Sequence, residues 1–577
     1  MKKNIWGVCV LFLIPTFLFG DSPRTAFQKR YVLYRGQLAQ PTELIRLLSV
    51  MRRASAAGYN GIVLEELAPV YLFLDSQSPV LLEHYSKIRQ WAKILGLSLI
   101  PGSFFQYDPA LKDSALGEGL PVKETPFVAQ QGFALPVSDP ALHLENGDFE
   151  HWKENVPTSW LVNQPGKIIF YDTKQHHGGT ASLCIKDPGV GDPIEGMGCA
   201  TQTVNVVPFR AYEVSTWIKT DHFSFPENVV IVVRGENHQQ ELYVTLLNVA
   251  STQDWTYYSV TFNSLSNSKV ILYLGTWAKT GRGRIWFDDA EMHEVGLHNM
   301  IRSPSLPVQV KSNPEIDSYK EGIDYIVQDD RLLIPTGSKI RDGQPLRVSW
   351  YLRGDTAGTT PASACRPEFF SAFVQEAKNI EKLFGKPKGY LVNFDEWRVA
   401  NWDPACHGKS ASSYFAEAMR GTERRLKEVN PQAEVYVWSD MFDPYHNAQN
   451  TYFMVNGSLI DTWKGLSRDT LIMNWNSQTQ LDSSTKKSLM WNSLRFFAKQ
   501  NHRQIIAGYY DSIDNVRTWL DTLDSLEKTE DLHGIEGFMY TTWENDPKGG
   551  SGRYDDLELV AAEIKHRGRW GSPVAFP

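Results

Sequence analysis

The sequence predicts an α/β protein, a (β/α)8 TIM barrel interrupted after its third strand by a β-sandwich of jelly-roll type. Strand-like and helix-like segments alternate at the start of the chain and again from 366 onward, the rhythm of a parallel sheet with crossover helices. Between them, from about 142 to 295, only short strands with turns occur, which reads as an antiparallel sandwich. Three strands before the break and five after it make eight, so one interrupted barrel explains both flanks. A doubly wound sheet would need a glycine-rich phosphate turn after a strand, and the sequence has none.

The elements follow in order. KRYVLYRGQ (29–37) is a strand, and 41–58 is a helix that opens on Pro41 and stops at Gly58. YNGIVLEE (59–66), a helix at 81–96 and LSLIPGSF (97–104) complete the first three strands. After the sandwich comes a small β-rich piece at about 305–352. Helix 368–385 then leads to strand GYLVNFDEW (389–397), and helix 413–430 to strand AEVYVWSDM (433–441). TLIMNWN (470–476), helix 488–500, IIAGYYD (505–511), helix 515–528 and IEGFMYTTWEND (535–546) finish the ring. The expected organisation is a signal peptide at 1–20, a first barrel segment at 21–141, the sandwich at 142–296, a β-rich linker at 297–360 and a second barrel segment at 361–577.

Composition narrows the function. A chain of 577 residues exceeds one core, and its net charge of −8 without a basic block makes nucleic acid and anionic membranes poor candidate partners, because both need a basic face; no nucleic acid partner is expected. Lys2 and Lys3 followed by the uncharged apolar stretch 5–19 read as a signal peptide, with an uncleaved anchor as the alternative. The expected location is secreted or periplasmic, with no stable membrane insertion once the signal is removed. Cys9 leaves with the signal, and the remaining even count suggests two disulfides, Cys184–Cys199 and Cys365–Cys406. No zinc-ligand spacing occurs. Aromatic residues make up 12% of the chain, and flat rings that stack on sugar C–H faces suit a carbohydrate handler, although many also fill cores.

Barrel active sites sit at the C-terminal ends of the strands. Those ends carry Arg35, then Glu65 and Glu66, then Asp395, Glu396 and Trp397, then Trp438 and Asp440. Trp475 follows, then Tyr509, Tyr510 and Asp511, and finally Trp543, Glu544 and Asp546. Acids and aromatics with no Ser-His pair fit glycosidic cleavage, which needs a proton donor and a group stabilising a positive anomeric carbon. The Asp395-Glu396 pair is the sharpest feature, because each negative charge raises the pKa of the other acid. Taken alone, Asp440 and Asp511 also suit helix N-caps, Arg35 an ion pair, and Glu65 and Glu66 a partly exposed pair.

With these residues the barrel resembles family 20 glycoside hydrolases, the β-N-acetylhexosaminidases, over roughly 29–125 and 366–565. The resemblance implies that Glu396 is the general acid/base and that Asp395 orients the substrate's 2-acetamido group, which attacks the anomeric carbon in place of a protein nucleophile. It further implies that Arg35 binds sugar hydroxyls, that Trp438-Ser439-Asp440 matches the family's strand-five Trp-x-Asp with Asp440 on the substrate, that Tyr509 with Asp511 holds the acetamido oxygen, and that Trp438, Trp475 and Trp543 line the pocket. Glu544 stands one residue out of step with the family's last acid, and Asn393 and Phe394 replace its glycines before the acid pair. A glycosidase using Asp511 or Glu544 as nucleophile and a non-catalytic glycan-binding barrel are the rival expectations. The insertion, with ENGDFEHW (145–152) and GRIWFDDAEM (283–292), resembles carbohydrate-binding modules of families 4, 9 and 22. That likeness implies a structural Ca2+ held by Glu150 and Asp289, with Trp160, Trp217, Trp255 and Trp277 as sugar-stacking candidates; such a module can also act as a spacer.

Overall fold

The computed structural model describes residues 25–66, 78–102, 107–108, 116–137, 139, 142–188, 198–236, 240–277, 281–354, 360–476, 487–530, 532–543 and 554–570. The expected signal peptide, Glu544 and Asp546 lie outside them. Among the described residues no helix is long and apolar enough to cross a membrane.

Eight strands form one parallel sheet. In chain order they are β1 (Lys29–Gly36), β2 (Gly61–Glu66), β3 (Ser98–Pro101), β4 (Gly389–Val392), β5 (Glu434–Trp438), β6 (Leu471–Asn474), β7 (Arg503–Tyr509) and β8 (Ile535–Thr541). Their spatial order is β4-β5-β6-β7-β8-β1-β2-β3, every neighbouring pair parallel. The edge strands β3 and β4 lie against each other, which leaves a nearly closed, barrel-like sheet. Bonds across the lumen join strands that are not neighbours: Lys29 on β1 reaches Glu434 on β5 at 3.0 Å, and the hydroxyls of Tyr31 and Tyr436 meet at 3.4 Å. Arg503 and Glu536 complete this polar plug at the N-terminal end, with Arg503 at 2.6 Å from Glu434.

The helices are α1 (Pro41–Ala57), α2 (Pro79–Leu95), α3 (Pro367–Phe384), α4 (Ala411–Val429), α5 (Leu489–Lys499), α6 (Ile513–Thr529) and α7 (Leu557–His566). The first three begin on proline, whose missing N–H costs nothing there, and end at a left-handed glycine: Gly58, Gly96 and Gly385. Between β5 and β6 the described residues hold no α-helix, only the 3-10 turns Asp440–Phe442 and Thr462–Gly465 and the two-residue strand Met454–Val455.

The interruption is nested, which the sequence does not reveal. The stretch expected to end the first barrel segment, Gly119–Gln130, pairs instead with Pro345–Arg353, Val122 opposite Trp350 and Phe127 opposite Leu346. With Phe133–Pro136 and the pieces from Gln309 to Leu333 it builds a seven-stranded antiparallel sheet. The region expected as a linker therefore supplies five of the seven strands of a separate sheet. The sandwich is inserted into that sheet in turn, as two five-stranded antiparallel layers closed around residues such as Leu183, Ile218, Phe287, Ile231 and Leu272.

Cys365 and Cys406 form the expected disulfide, with Cα atoms 5.3 Å apart. Closing a chain separation of 41 residues removes unfolded-state entropy worth about 4 kcal/mol. Reduction without denaturant is expected to lower the barrel's unfolding temperature, read by calorimetry with and without reductant. The other expected disulfide is corrected: Cys184 and Cys199 are both free and buried. Leu183 and Ile185 on one layer and Ala200 on the other face the sandwich core, so alternation turns Cys184 and Cys199 onto the outer faces of opposite layers. Their thiols point away from each other.

Candidate functional site

Strand parity decides which side chains reach the mouth. Tyr31 and Leu33 on β1, Tyr436 and Trp438 on β5, Leu471 and Met473 on β6, and Met539 on β8 point into the lumen. Two residues further along each strand stand Arg35, Asp440, Trp475 and, beyond Thr541, Trp543. On β2 and β4 the same rule carries Val63 to Glu65 and Leu391, via Asn393, to Asp395. Nearly the whole expected constellation thus arrives at one end of the sheet.

Its charges interlock. Arg35 Nε donates to Glu65 Oε2 at 2.5 Å, and its guanidinium lies 4.9 Å from the centre of the Trp543 ring. Asp395 is held well above the usual carboxylate range by burial and by the charges of Asp440, Glu396 and Glu65, with Arg35 opposing them. Asp440 Oδ2 accepts from the Glu396 N–H at 2.8 Å and from Asn447 Nδ2 at 2.9 Å, and Oδ1 from Trp475 Nε1 at 3.3 Å. Glu396 is the most open of the acids, its side chain 42% exposed, and its Oε2 accepts from Arg398 Nη2 at 2.7 Å. Glu65, Arg398 and Asn447 belong to this network. Sequence reading left Glu65 as a doubtful surface acid and did not single out the other two, because their roles depend on contacts between loops.

Backbone strain shapes the same end. Phe394 has φ 65° and Glu396 φ 44°, in the left-handed region that favours glycine. Phe394 is held there by packing on Trp397 and Phe442, at 5.3 and 5.7 Å between ring centres. After β7, Tyr509, Tyr510 and Asp511 have φ 91°, 42° and 58°. This run corrects one expectation. Alternation from Ile505 and Ala507 would aim Tyr509 into the lumen, yet its ring stacks on Tyr540 at 4.3 Å and its hydroxyl donates to Asp556 at 3.0 Å. Tyr510 takes the inward place, stacked 5.9 Å from Trp475, with its hydroxyl pushed up to about 12 by burial and the nearby Glu396 and Asp395.

Asp511 does not face the lumen as a free carboxylate. It accepts from Thr542 Oγ1 and, at 3.2 Å, from the Trp543 N–H, while Ser512 caps α6. It positions Trp543, whose ring lies 5.7 Å from Trp438.

Asp443, in the loop after β5, is fully buried, accepts from the Tyr445 N–H at 2.8 Å, and like Asp440 is pushed up to about 7 by burial. Both groups bind a proton more tightly folded than unfolded. Their stabilising contribution is whole below about pH 4 and is lost as pH rises through 7. Asp443→Asn keeps the acceptor oxygen and is expected to flatten the fall in unfolding temperature between pH 4 and 8.

On the sandwich, Glu150 and Asp289 approach one glycine loop from two sides. Glu150 accepts from the Thr180 N–H and Oγ1, both at 2.6 Å, and from the Ala181 N–H at 2.9 Å, and Asp289 lies 2.6 Å from His177 Nδ1. These oxygens are engaged by N–H and O–H donors of the loop, and among the described residues no group of three His, Cys, Asp or Glu side chains is placed for a metal. Trp160 is also corrected: it is core, 2% exposed, with its N–H spent on the carbonyls of Glu145 and Asn146. Trp217 and Trp255 share one outer face with His177 and the half-exposed Tyr257. Trp277 packs with Tyr273 against Val230 and Val232 on the opposite layer.

A family model described as a carbohydrate binding domain matches residues 142–280. The chain is 29% identical over 178 residues to the tRNA(Glu)-specific nuclease WapA of Bacillus subtilis subsp. natto (strain BEST195), and 30% identical over 178 residues to the tRNA nuclease WapA of Bacillus subtilis (strain 168). Each match covers 29% of this chain, which spans only 7% of the length of these curated relatives. Among solved structures, the CBM22-1 xylan-binding domain of Paenibacillus barcinonensis Xyn10C is similar at 18% identity and TM-score 0.21, covering 27% of this chain and 96% of that one. TmCBM61 in complex with β-1,4-galactotriose is similar at 14% identity and TM-score 0.20, covering 26% and 97%. A carbohydrate-binding module is thus present within the chain, and it supports glycan binding.

Proposed function

We propose that the protein is an exported glycoside hydrolase acting at the barrel mouth, in the manner of an exo-acting retaining β-N-acetylhexosaminidase, while the inserted module holds it on glycan. The observation that carries this reading is the meeting of Arg35, Asp395, Glu396, Asp440, Trp475, Tyr510 and Trp543, from six different strand ends, in one network. Glu396, the acid open to solvent, protonates the leaving oxygen and then activates water. Arg398 donates to this carboxylate at 2.7 Å in the free protein, so it has to yield as substrate enters. Asp395, kept toward its neutral form, faces the 2-acetamido group with Tyr510, and the acetamido oxygen attacks the anomeric carbon in place of a protein nucleophile. Trp438, Trp475 and Trp543 give the sugar apolar walls. Asp511, engaged by Thr542 and Trp543, is a poor rival nucleophile.

The test is turnover of aryl N-acetylglucosaminide, N-acetylgalactosaminide and galactoside, with a thiazoline inhibitor that mimics the acetamido intermediate. Cleavage of an N-acetylhexosaminide blocked by the thiazoline supports the reading, and galactoside cleavage insensitive to it refutes the acetamido mechanism. Tyr510→Phe is expected to cost about tenfold in kcat/KM and Tyr509→Phe little, measured on the best aryl substrate. The Arg398–Glu396 pair favours one second reading, a glycan-binding barrel without chemistry. Binding of sugars with no turnover in the whole panel would select it.

A further inference from the structure

A groove with a cavity of about 850 Å3 runs between α3 and α4, outside the barrel. Its floor is apolar, made by Phe370 and Val374 one turn apart on α3, beside the Cys365–Cys406 disulfide. Gly421 on α4 lets the helices close over this floor, since a Cβ there would stand 2.4 Å from the Phe370 ring. The rim is cationic. Glu417 neutralises Lys409 at 2.6 Å and Glu428 neutralises Arg425 at 3.0 Å, and buried Arg366 is committed to Asp403. Among the described residues Lys378, Arg420 and Arg424 pair with no carboxylate, and Arg420 reaches only the Lys464 carbonyl, at 3.3 Å. Arg420 and Arg424 stand one turn apart on the same face of α4. Three uncompensated cations thus share one groove in a chain of net charge −8.

We propose that this groove binds an acidic oligosaccharide through its carboxylate or sulfate groups. Guanidinium forks pair with such oxyanions two bonds at a time, and the Phe370–Val374 floor suits the C–H face of a sugar ring. A compact inorganic anion would leave that floor uncovered. The cavity falls in the range of small-ligand sites, about 300–1,000 Å3. The carbohydrate-binding module in the same chain makes glycan the polymer at hand. Nothing in this site depends on turnover at the mouth.

The test is calorimetric titration of the full chain with tetragalacturonate, a chondroitin sulfate tetrasaccharide, neutral xylotetraose and a tetraglutamate peptide. At least one acidic sugar is expected to bind, to weaken as NaCl is raised, and to lose about tenfold in affinity in the Arg420→Gln/Arg424→Gln variant, with xylotetraose unaffected. Binding of tetragalacturonate alone assigns the carboxylate source, and of the chondroitin fragment alone the sulfate source. Lys378→Gln, from the other helix, is expected to cost about threefold and serves should the double variant unfold. The proposal is overturned if acidic sugars bind no better than xylotetraose, if the variants keep full affinity, or if tetraglutamate binds the groove as tightly as the sugars.

Discussion

Glu396→Gln is expected to reduce kcat on an aryl N-acetylhexosaminide by about 10²- to 10⁴-fold, the usual worth of a positioned general acid. The amide keeps the size of the side chain and accepts from Arg398 as the carboxylate does, so the mouth should keep its shape. Substrate affinity should then change little, and the loss should fall on kcat and kcat/KM alike. Steady-state kinetics with a direct binding measurement separate these quantities. A variant with unimpaired turnover would remove Glu396 from the chemistry. Because the Glu396 N–H is anchored by Asp440, a loss confined to binding would instead identify a structural role for the loop.

Arg366→Met carries the largest expected effect on stability. Arg366 is 5% exposed and Asp403 is 2% exposed, and Arg366 donates from Nε to Asp403 and from Nη2 to the Gly117 carbonyl at 3.3 Å. Glu118 lies in the same pocket, pushed up to about 7 by burial and by the Asp403 charge, and accepts from the Trp402 and Asp403 N–H groups at 2.5 and 2.8 Å. Methionine fills the volume but leaves Asp403 without its counter-charge. Breaking a buried pair from one side costs about 3–5 kcal/mol. Calorimetric or urea unfolding of the barrel transition checks the figure, and Asp403→Asn in the same background should recover part of it. This cluster fastens the start of the seven-stranded sheet to α3, so the variant should also expose the interrupted region to protease earlier.

The barrel-like parallel sheet was legible because its signals are local. Proline at the start and glycine at the end of α1, together with alternation along β1 and β2, need no knowledge of distant residues. The inward parity of Arg35, Asp395 and Asp440 follows from the same alternation. Legibility ended where the backbone leaves that pattern. Left-handed geometry at Tyr509 turned one tyrosine out and its neighbour in, and no propensity of tyrosine announces such a φ. Pairing of Gly119–Gln130 with Pro345–Arg353 was hidden because its partners are more than 200 residues apart, with a complete sandwich between them. Sequence proximity suggested the Cys184–Cys199 bond, and strand parity on two separate layers defeats it.

The cross-lumen link between Lys29 and Glu434 joins residues 405 positions apart. At ribosomal speeds of roughly 5–20 residues per second, about 20–80 s separate the synthesis of its two ends. For most of that interval the three leading strands pair only with one another, and the outer edges of β1 and β3 are open to stray chains. The nascent polypeptide therefore passes through a long adhesive phase that ends only when the last five strands arrive, and its recovery in intact form should depend on holdase supply more than on the final strength of the fold.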